Sequence, residues 1–123
     1  MKILVDTHIF LWMLSYPEKL TKKRRYELEF PSNEVFLSAI SIAELVIKSS
    51  IGKLNINFDP LELAREMRID ILDFSGIHAM TLAQLPFHHK DPFDRMIIAQ
   101  AVSDKLNLMS DDSKFLHYDC LII

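Results

Sequence analysis

The chain has 123 residues, half of them hydrophobic, which is enough for one sizeable core and too few for two. No apolar run approaches the roughly 20 residues of a membrane span, the first residues lead into a strand and not a signal peptide, and the single cysteine excludes an intrachain disulfide. The net charge of −3 disfavours nucleic acid as a partner unless a bound divalent cation reverses the local charge. We expect a single cytoplasmic domain, residues 1–123, with no membrane contact.

Short apolar runs alternate with helical patterns along the whole chain. The run Lys2–Val5 predicts a strand that is buried on both faces and that ends where a helix begins. Four more runs with strand character follow, at residues 35–37, 69–74, 107–110 and 120–123. Because helices separate these runs, the order predicts an α/β fold with right-handed crossovers, a parallel sheet of four or five strands and helices on both faces.

Two predicted helix starts place acids in informative positions. Asp91-Pro92 predicts a start because the aspartate caps the first turn and the proline needs no hydrogen-bond partner there, so Asp94 lies at the positive end of the helix dipole. Ser41 and Glu44 have capping-box spacing, which predicts a helix start at Ser41. Glu44 then either binds the Ser41 amide or faces the end of the preceding strand.

Acids follow the strands at the edge of the sheet where ligands of parallel sheets bind. Asp6 follows the first strand, Glu44 opens the helix after the second, and Asp112 follows the fourth. Asp94 joins them if the tip of its helix reaches the same crevice. Clustered carboxylates are costly without a partner, and Mg²⁺ or Mn²⁺ prefers oxygen ligands. These four acids are therefore the predicted metal-binding and catalytic residues.

The alternatives at this edge are Asp111, which adjoins Asp112, and Asp73, which we expect to face outward on an alternating strand. Basic and imidazole groups flank the same crevice at His89, Lys90 and Arg95. We predict that these three residues contact backbone phosphates of a nucleic acid. For Arg95 the alternative is a salt bridge to a neighbouring acid.

The motifs, in their order along the chain, resemble those of PIN-domain ribonucleases, specifically the VapC-like toxins of toxin-antitoxin modules. The matching segments are Leu4-Val5-Asp6-Thr7-His8, Ser41-Ile42-Ala43-Glu44-Leu45, His89-Lys90-Asp91-Pro92-Phe93-Asp94-Arg95 and Leu108-Met109-Ser110-Asp111-Asp112. The resemblance implies a three-layer α/β/α PIN-like fold and an endoribonuclease that needs Mg²⁺ or Mn²⁺. It also implies an acidic core of Asp6, Glu44, Asp94 and Asp112, frequent homodimerisation and inhibition by a cognate antitoxin. Ser110 stands where the family usually has threonine, which keeps the hydroxyl.

The predicted function is hydrolysis of RNA phosphodiester bonds by a metal-activated water. Two other functions share the fold pattern: a receiver-like signalling module and a catalytically inactive PIN-like scaffold that only binds a partner. A receiver needs an acid pair after its first strand and a lysine after its last inner strand. In this chain Asp6 is the only acid directly after the first strand, and no lysine directly follows the fourth. The intact set of four acids argues against the inactive scaffold.

Overall fold

Four parallel strands form the centre of the molecule in a computed structural model that describes residues 1–123. Their order across the sheet is β3-β2-β1-β4, and every neighbouring pair is parallel. The strands are β1 (Lys2–Val5), β2 (Glu34–Ser38), β3 (Asp70–Leu72) and β4 (Asn107–Met109). The predicted parallel α/β architecture is confirmed.

Helices cover both faces of this sheet. They are α1 (Thr7–Ser15), α2 (Lys22–Glu29), α3 (Ala39–Ser50), α4 (Pro60–Glu66), α5 (Gly76–Thr81) and α6 (Pro92–Asp104), with short 3₁₀ turns at Pro17–Lys19, Leu82–Gln84 and Ser113–His117. No helix combines the length and the apolar character needed to cross a bilayer.

The side chains of β1 alternate between two separate cores. Ile3 and Val5 pack with Phe10 of α1, whereas Leu4 packs on the opposite face with Ile97 and Ile98 of α6. All six of these side chains are fully buried. A strand that is apolar on both faces therefore requires a helical layer on each side, which gives the three-layer α/β/α arrangement.

The sheet order places a topological switch point between β1 and β4. From β1 the chain moves outward through β2 to β3, and then crosses back to pair β4 with the other side of β1. The Asp6 amide donates to the carbonyl of Met109 at 3.1 Å, so the segments that leave β1 and β4 lie side by side. The crevice beyond these two carboxyl ends is where a ligand is expected.

The structure differs from the predicted elements at two places. The predicted fifth strand, residues 120–123, makes only one parallel bridge, between Ile122 and Leu108, because its partner β4 is three residues long. The helix expected to start at Ser41 begins at Ala39 and is capped by Ser38, whose hydroxyl accepts from the Ile40 amide. Ser41 therefore lies inside the helix, and the predicted capping box is wrong.

Candidate active site

Asp6 links the end of β1 to the start of α1. Its carboxylate caps α1 by accepting from the Ile9 amide at 2.8 Å, and the residue is buried. Burial raises the pKa of Asp6 above its ordinary value, although hydrogen bonds from the Ser110 side chain and the Ile9 amide oppose that rise. The strand and the helix cap together hold an acidic group rigidly at the switch point.

Glu44 lies on α3, where it is buried and contacts Thr7, the residue after Asp6. Oε1 of Glu44 accepts from the Thr7 hydroxyl at 2.7 Å, and Oε2 accepts from the Lys48 ammonium group at 2.6 Å. The Ser41 hydroxyl lies 2.9 Å from that of Thr7 and extends the network. Glu44 does not bind the Ser41 amide, because Ser41 is within the helix. It faces α1 instead.

Asp94 lies in the first turn of α6, which Asp91 caps by accepting from the Phe93 and Asp94 amides. Burial, together with repulsion from Asp91, Glu44 and Asp6, raises the pKa of Asp94 to about 7. Helix α6 also packs against α3, which carries Glu44, and His89 lies between Asp94 and Asp112, the acid that follows β4. The tip of α6 therefore reaches the crevice, and the carboxylates of Asp6, Glu44 and Asp94 share one site.

His89 joins Asp94 to Asp112. Its Nε2 lies 2.9 Å from Oδ2 of Asp94 and 3.0 Å from Oδ2 of Asp112, and the residue is buried. The Asp91 amide donates to Nδ1 at 3.2 Å, which places the ring hydrogen of neutral His89 on Nε2. His89 is thus a donor to both carboxylates in this arrangement.

Asp112 faces the site, whereas Asp111 faces away from it. Burial raises the pKa of Asp112, but the Lys114 amide and His89 outweigh that effect and the pKa is lowered on balance. Asp111 binds Arg24 of α2 at 2.9 Å, and its side chain is 61% exposed. The same guanidinium donates to the Ser110 carbonyl at 2.8 Å and so fixes the loop that carries both aspartates. The geometry favours Asp112 over Asp111 as the fourth acid.

The other predicted residues lie in different environments. Arg95 is only 8% exposed, and its guanidinium donates to backbone carbonyls of the loop before α6, including that of Pro86 at 2.9 Å. No acid lies within salt-bridge distance of it. This burial argues against the predicted contact of Arg95 with phosphate. Lys90 is exposed beside the site, and Asp73 is exposed beyond β3.

Oxygen donors at this edge of the sheet fit a hard divalent cation. Burial and mutual repulsion disfavour the ionised forms of Asp6 and Asp94, and a dication would offset that cost. One oxygen of Asp94, one oxygen of Asp112 and Nε2 of His89 lie within 4.8 Å of one another. Since Nε2 carries hydrogen, the residues best able to hold the cation are Asp6, Asp94 and Asp112. Both oxygens of Glu44 already accept hydrogen bonds.

Sequence reasoning missed Thr7 and Lys48, which hold the two oxygens of Glu44. The signal for Lys48 was its spacing of four residues from Glu44, which places both side chains on one helical face. Thr7 carried no comparable signal, because its contact with Glu44 spans 37 residues. A contact of that range depends on how α1 packs against α3.

The fold and the site together define a small parallel α/β protein with an acidic, oxygen-donor site at its topological switch point. Residues 3–120 match the PIN domain family, and the chain belongs to that family. The resemblance identified in the motifs is confirmed. No curated protein sequence is detectably similar to the chain.

Solved structures with the same fold cover almost the whole chain. VapBC2 from Rickettsia felis, bound to a promoter DNA fragment, has a TM-score of 0.76 at 18% identity, covering 100% of this chain and 98% of its own. DNA-bound VapBC from Salmonella typhimurium has a TM-score of 0.70 at 19% identity, covering 100% and 97%. A toxin-antitoxin complex from Klebsiella pneumoniae has a TM-score of 0.63 at 19% identity, covering 98% and 95%. At these identities the likeness concerns the fold.

Proposed function

We propose that the protein is a Mg²⁺- or Mn²⁺-dependent endoribonuclease and the toxin of a toxin-antitoxin pair. The observation that carries the proposal is the convergence of acids at the switch point. Asp6 follows β1, Glu44 binds the adjacent Thr7, and Nε2 of His89 lies 2.9 Å from Asp94 and 3.0 Å from Asp112. Membership of the PIN domain family, whose members are generally nucleases, supports phosphodiester hydrolysis as the reaction. The choice of RNA follows from the motif resemblance.

In this mechanism Asp6, Asp94 and Asp112 would hold the cation, and a bound cation would supply Lewis-acid chemistry at the site. Glu44, fixed by Thr7 and Lys48, orients the attacking water through a remaining lone pair. His89 keeps the carboxylates of Asp94 and Asp112 at a constant separation. Lys90, exposed at the rim, is available to a backbone phosphate.

Purified protein tests this function with matched single-stranded RNA and DNA of one sequence, with Mn²⁺, Mg²⁺ or EDTA. We expect cleavage of RNA only with metal, and a loss of about 10²-fold or more in D6N and D94N, since even outer-shell changes at metal sites cost up to that much. D73N is the matched control, because Asp73 is an exposed acid outside the cluster, and it should cleave normally. Wild-type rates in D6N and D94N contradict the proposal, and a folded, metal-binding protein without cleavage favours the inactive scaffold.

We further propose that the protein acts in the cytoplasm as a homodimer restrained by an antitoxin. Relatives solved as VapBC and toxin-antitoxin complexes support the antitoxin partner. Val46 and Ile47 of α3 and Ile51, the residue after its end, are exposed apolar side chains, which favours burial against another chain. Light scattering of the purified protein, alone and with the product of the adjacent gene, tests both parts. A protein that is monomeric and does not bind that product contradicts both the homodimer and the antitoxin partner.

A further inference from the structure

Lys48 is the one lysine or arginine that forms an ion pair with an acid of the site. Its ammonium nitrogen lies 2.6 Å from Oε2 of Glu44, whose side chain is only 4% exposed, whereas the Lys48 side chain is 36% exposed. The two residues are one turn apart on α3. The pair therefore joins a buried carboxylate to a cation at the mouth of the site.

The surroundings of Lys48 extend beyond Glu44. Helix α3 packs against α6. The hydrogen bond to Glu44 raises the pKa of Lys48, and burial opposes that rise. The negative charges of Glu44, Asp91 and Asp94 raise the pKa further. Negative charges on both helices therefore act on the ammonium group. No other lysine or arginine forms an ion pair with Asp6, Glu44, Asp94 or Asp112.

We propose that Lys48 is the built-in counter-cation of the acidic site, where its ammonium group holds the Glu44 carboxylate in place and competes with a divalent cation for the negative charge. The second part of this proposal rests on the proposed metal site, whereas the first concerns the protein without metal. Lys48 is in this sense a positioning residue that acts through Glu44.

Two opposite effects follow from the loss of this charge. Without metal, the buried carboxylate of Glu44 loses its only ion-pair partner, so the protein becomes less stable. With metal, the site is more negative by one charge and binds a dication more tightly. A purely structural surface salt bridge produces a small loss of stability and leaves metal affinity unchanged.

The metal-free experiment is a double-mutant cycle between K48M and E44Q, with melting temperatures measured in EDTA at pH 8. We expect K48M to lower the melting temperature by about 5 °C or more, and this loss to shrink strongly when Glu44 is already glutamine. The matched control is the Arg65–Glu62 pair on α4, an ion pair whose side chains are 75% and 49% exposed. R65M should shift the melting temperature only slightly.

The metal experiment measures free Mn²⁺ by electron paramagnetic resonance in titrations of wild type, K48M, K48R and R65M. We expect K48M to bind Mn²⁺ roughly three- to tenfold more tightly, the size expected for removal of one partly solvated positive charge. K48R keeps the charge and should stay close to the wild type, as should R65M.

Three results overturn the proposal: a K48M shift no larger than that of R65M, an equal K48M shift in the E44Q background, or unchanged Mn²⁺ affinity in K48M. If no variant binds Mn²⁺, the proposed metal site and the competition both fail. The metal-free cycle then still decides whether Lys48 holds Glu44, so the two failures are distinguishable.

Discussion

Asp94 has the most perturbed carboxylate of the site, and its environment explains why. Burial and repulsion from Asp91 raise its pKa, His89 lowers it, and Glu44 and Asp6 raise it further, to about 7. In the unfolded chain the carboxyl group of Asp94 has its ordinary pKa of 3.8. Between these two values the native state binds the proton more tightly, so the stability of the metal-free protein falls as pH rises.

The prediction is that D94N stabilises the metal-free protein at pH 8 and leaves it unchanged at pH 4. The gain at pH 8 should be about 1–2 kcal/mol, since solvent screens part of the repulsion at this partly exposed carboxylate. The asparagine oxygen still accepts from Nε2 of His89. Urea unfolding in EDTA at both pH values measures the difference. A variant that is equally destabilised at both would contradict the explanation.

Arg95 and Lys90 show how neighbouring cations in one motif take different roles. The Arg95 guanidinium is buried under the loop before α6, stacks over Phe87 at 4.2 Å and donates to carbonyls of residues 82–89. That loop carries His89, which contacts two of the acids. Arg95 therefore stabilises the loop that holds His89 in the site, whereas Lys90 lies at the surface of the site.

We predict that R95L lowers the free energy of unfolding by about 2 kcal/mol or more, because several buried carbonyls lose a charged donor. K90M should leave stability nearly unchanged and weaken RNA binding, with a shallower dependence on salt, because one phosphate contact is lost. Urea unfolding and binding of RNA at two salt concentrations separate the two effects. An unchanged unfolding midpoint for R95L is the result that would contradict this assignment.

At the scale of the element, the start of α6 positions Asp94 in the site. The Asp91 cap and Pro92 fix the first turn, so Asp94 follows at a defined angle toward the crevice. The charge of Asp91 has a second effect, because it is the largest electrostatic cause of the raised pKa of Asp94. One residue therefore stabilises the helix and destabilises the charge beside it.

The two effects of Asp91 are separable by substitution. D91A removes the cap and should cost about 1 kcal/mol, whereas D91N keeps a capping oxygen and should keep the stability of the helix. D91N also removes the like charge, so the pKa of Asp94 falls toward its ordinary value. Unfolding at pH 7 in EDTA measures stability, and carboxyl NMR titration measures the pKa. Equal losses of stability in D91A and D91N would show that the capping oxygen of residue 91 does not stabilise the helix.

At the scale of the whole molecule, the strand order decides which acids meet. The β3-β2-β1-β4 order sets the ends of β1 and β4 side by side and directs α3 and α6 toward the same crevice. Residues separated by about a hundred positions thus form one site. A ligand held there bridges segments from both ends of the chain.

Divalent metal is therefore expected to stabilise the entire fold. A ligand that binds only the native state adds about 2.7 kcal/mol at a concentration one hundred times its dissociation constant. The melting temperature should rise with Mn²⁺ concentration, return to its starting value in EDTA, and stay flat in D6N. D73N should respond as the wild type does. Tryptophan fluorescence of Trp12 or circular dichroism follows the transition. A wild-type melting temperature that does not change in millimolar Mn²⁺ contradicts a preformed metal site.

Local patterns were sufficient for the elements that carry the acids. The apolar run of β1 ends at Asp6, and Asp91-Pro92 opens α6, because strand burial and helix capping depend on adjacent residues. The predicted cap of α3, Ser41, lies three residues after the actual cap, Ser38, because both serines can cap a helix and only the end of β2 selects Ser38. Residues 120–123 have the pattern of a strand, yet they make only one bridge, to β4 at the edge of the sheet.

The sequence by itself determined the order of strands and helices, the family and the four acids proposed for the site, because these depend on local pattern and motif. Only the tertiary structure decided that Asp112 and not Asp111 faces the crevice, that Arg95 turns inward, and that His89 and Lys48 join the acids. These outcomes depend on which surfaces pack together. Packing brings distant charges within a few ångströms, where burial and repulsion set their chemistry, and no local pattern encodes that distance.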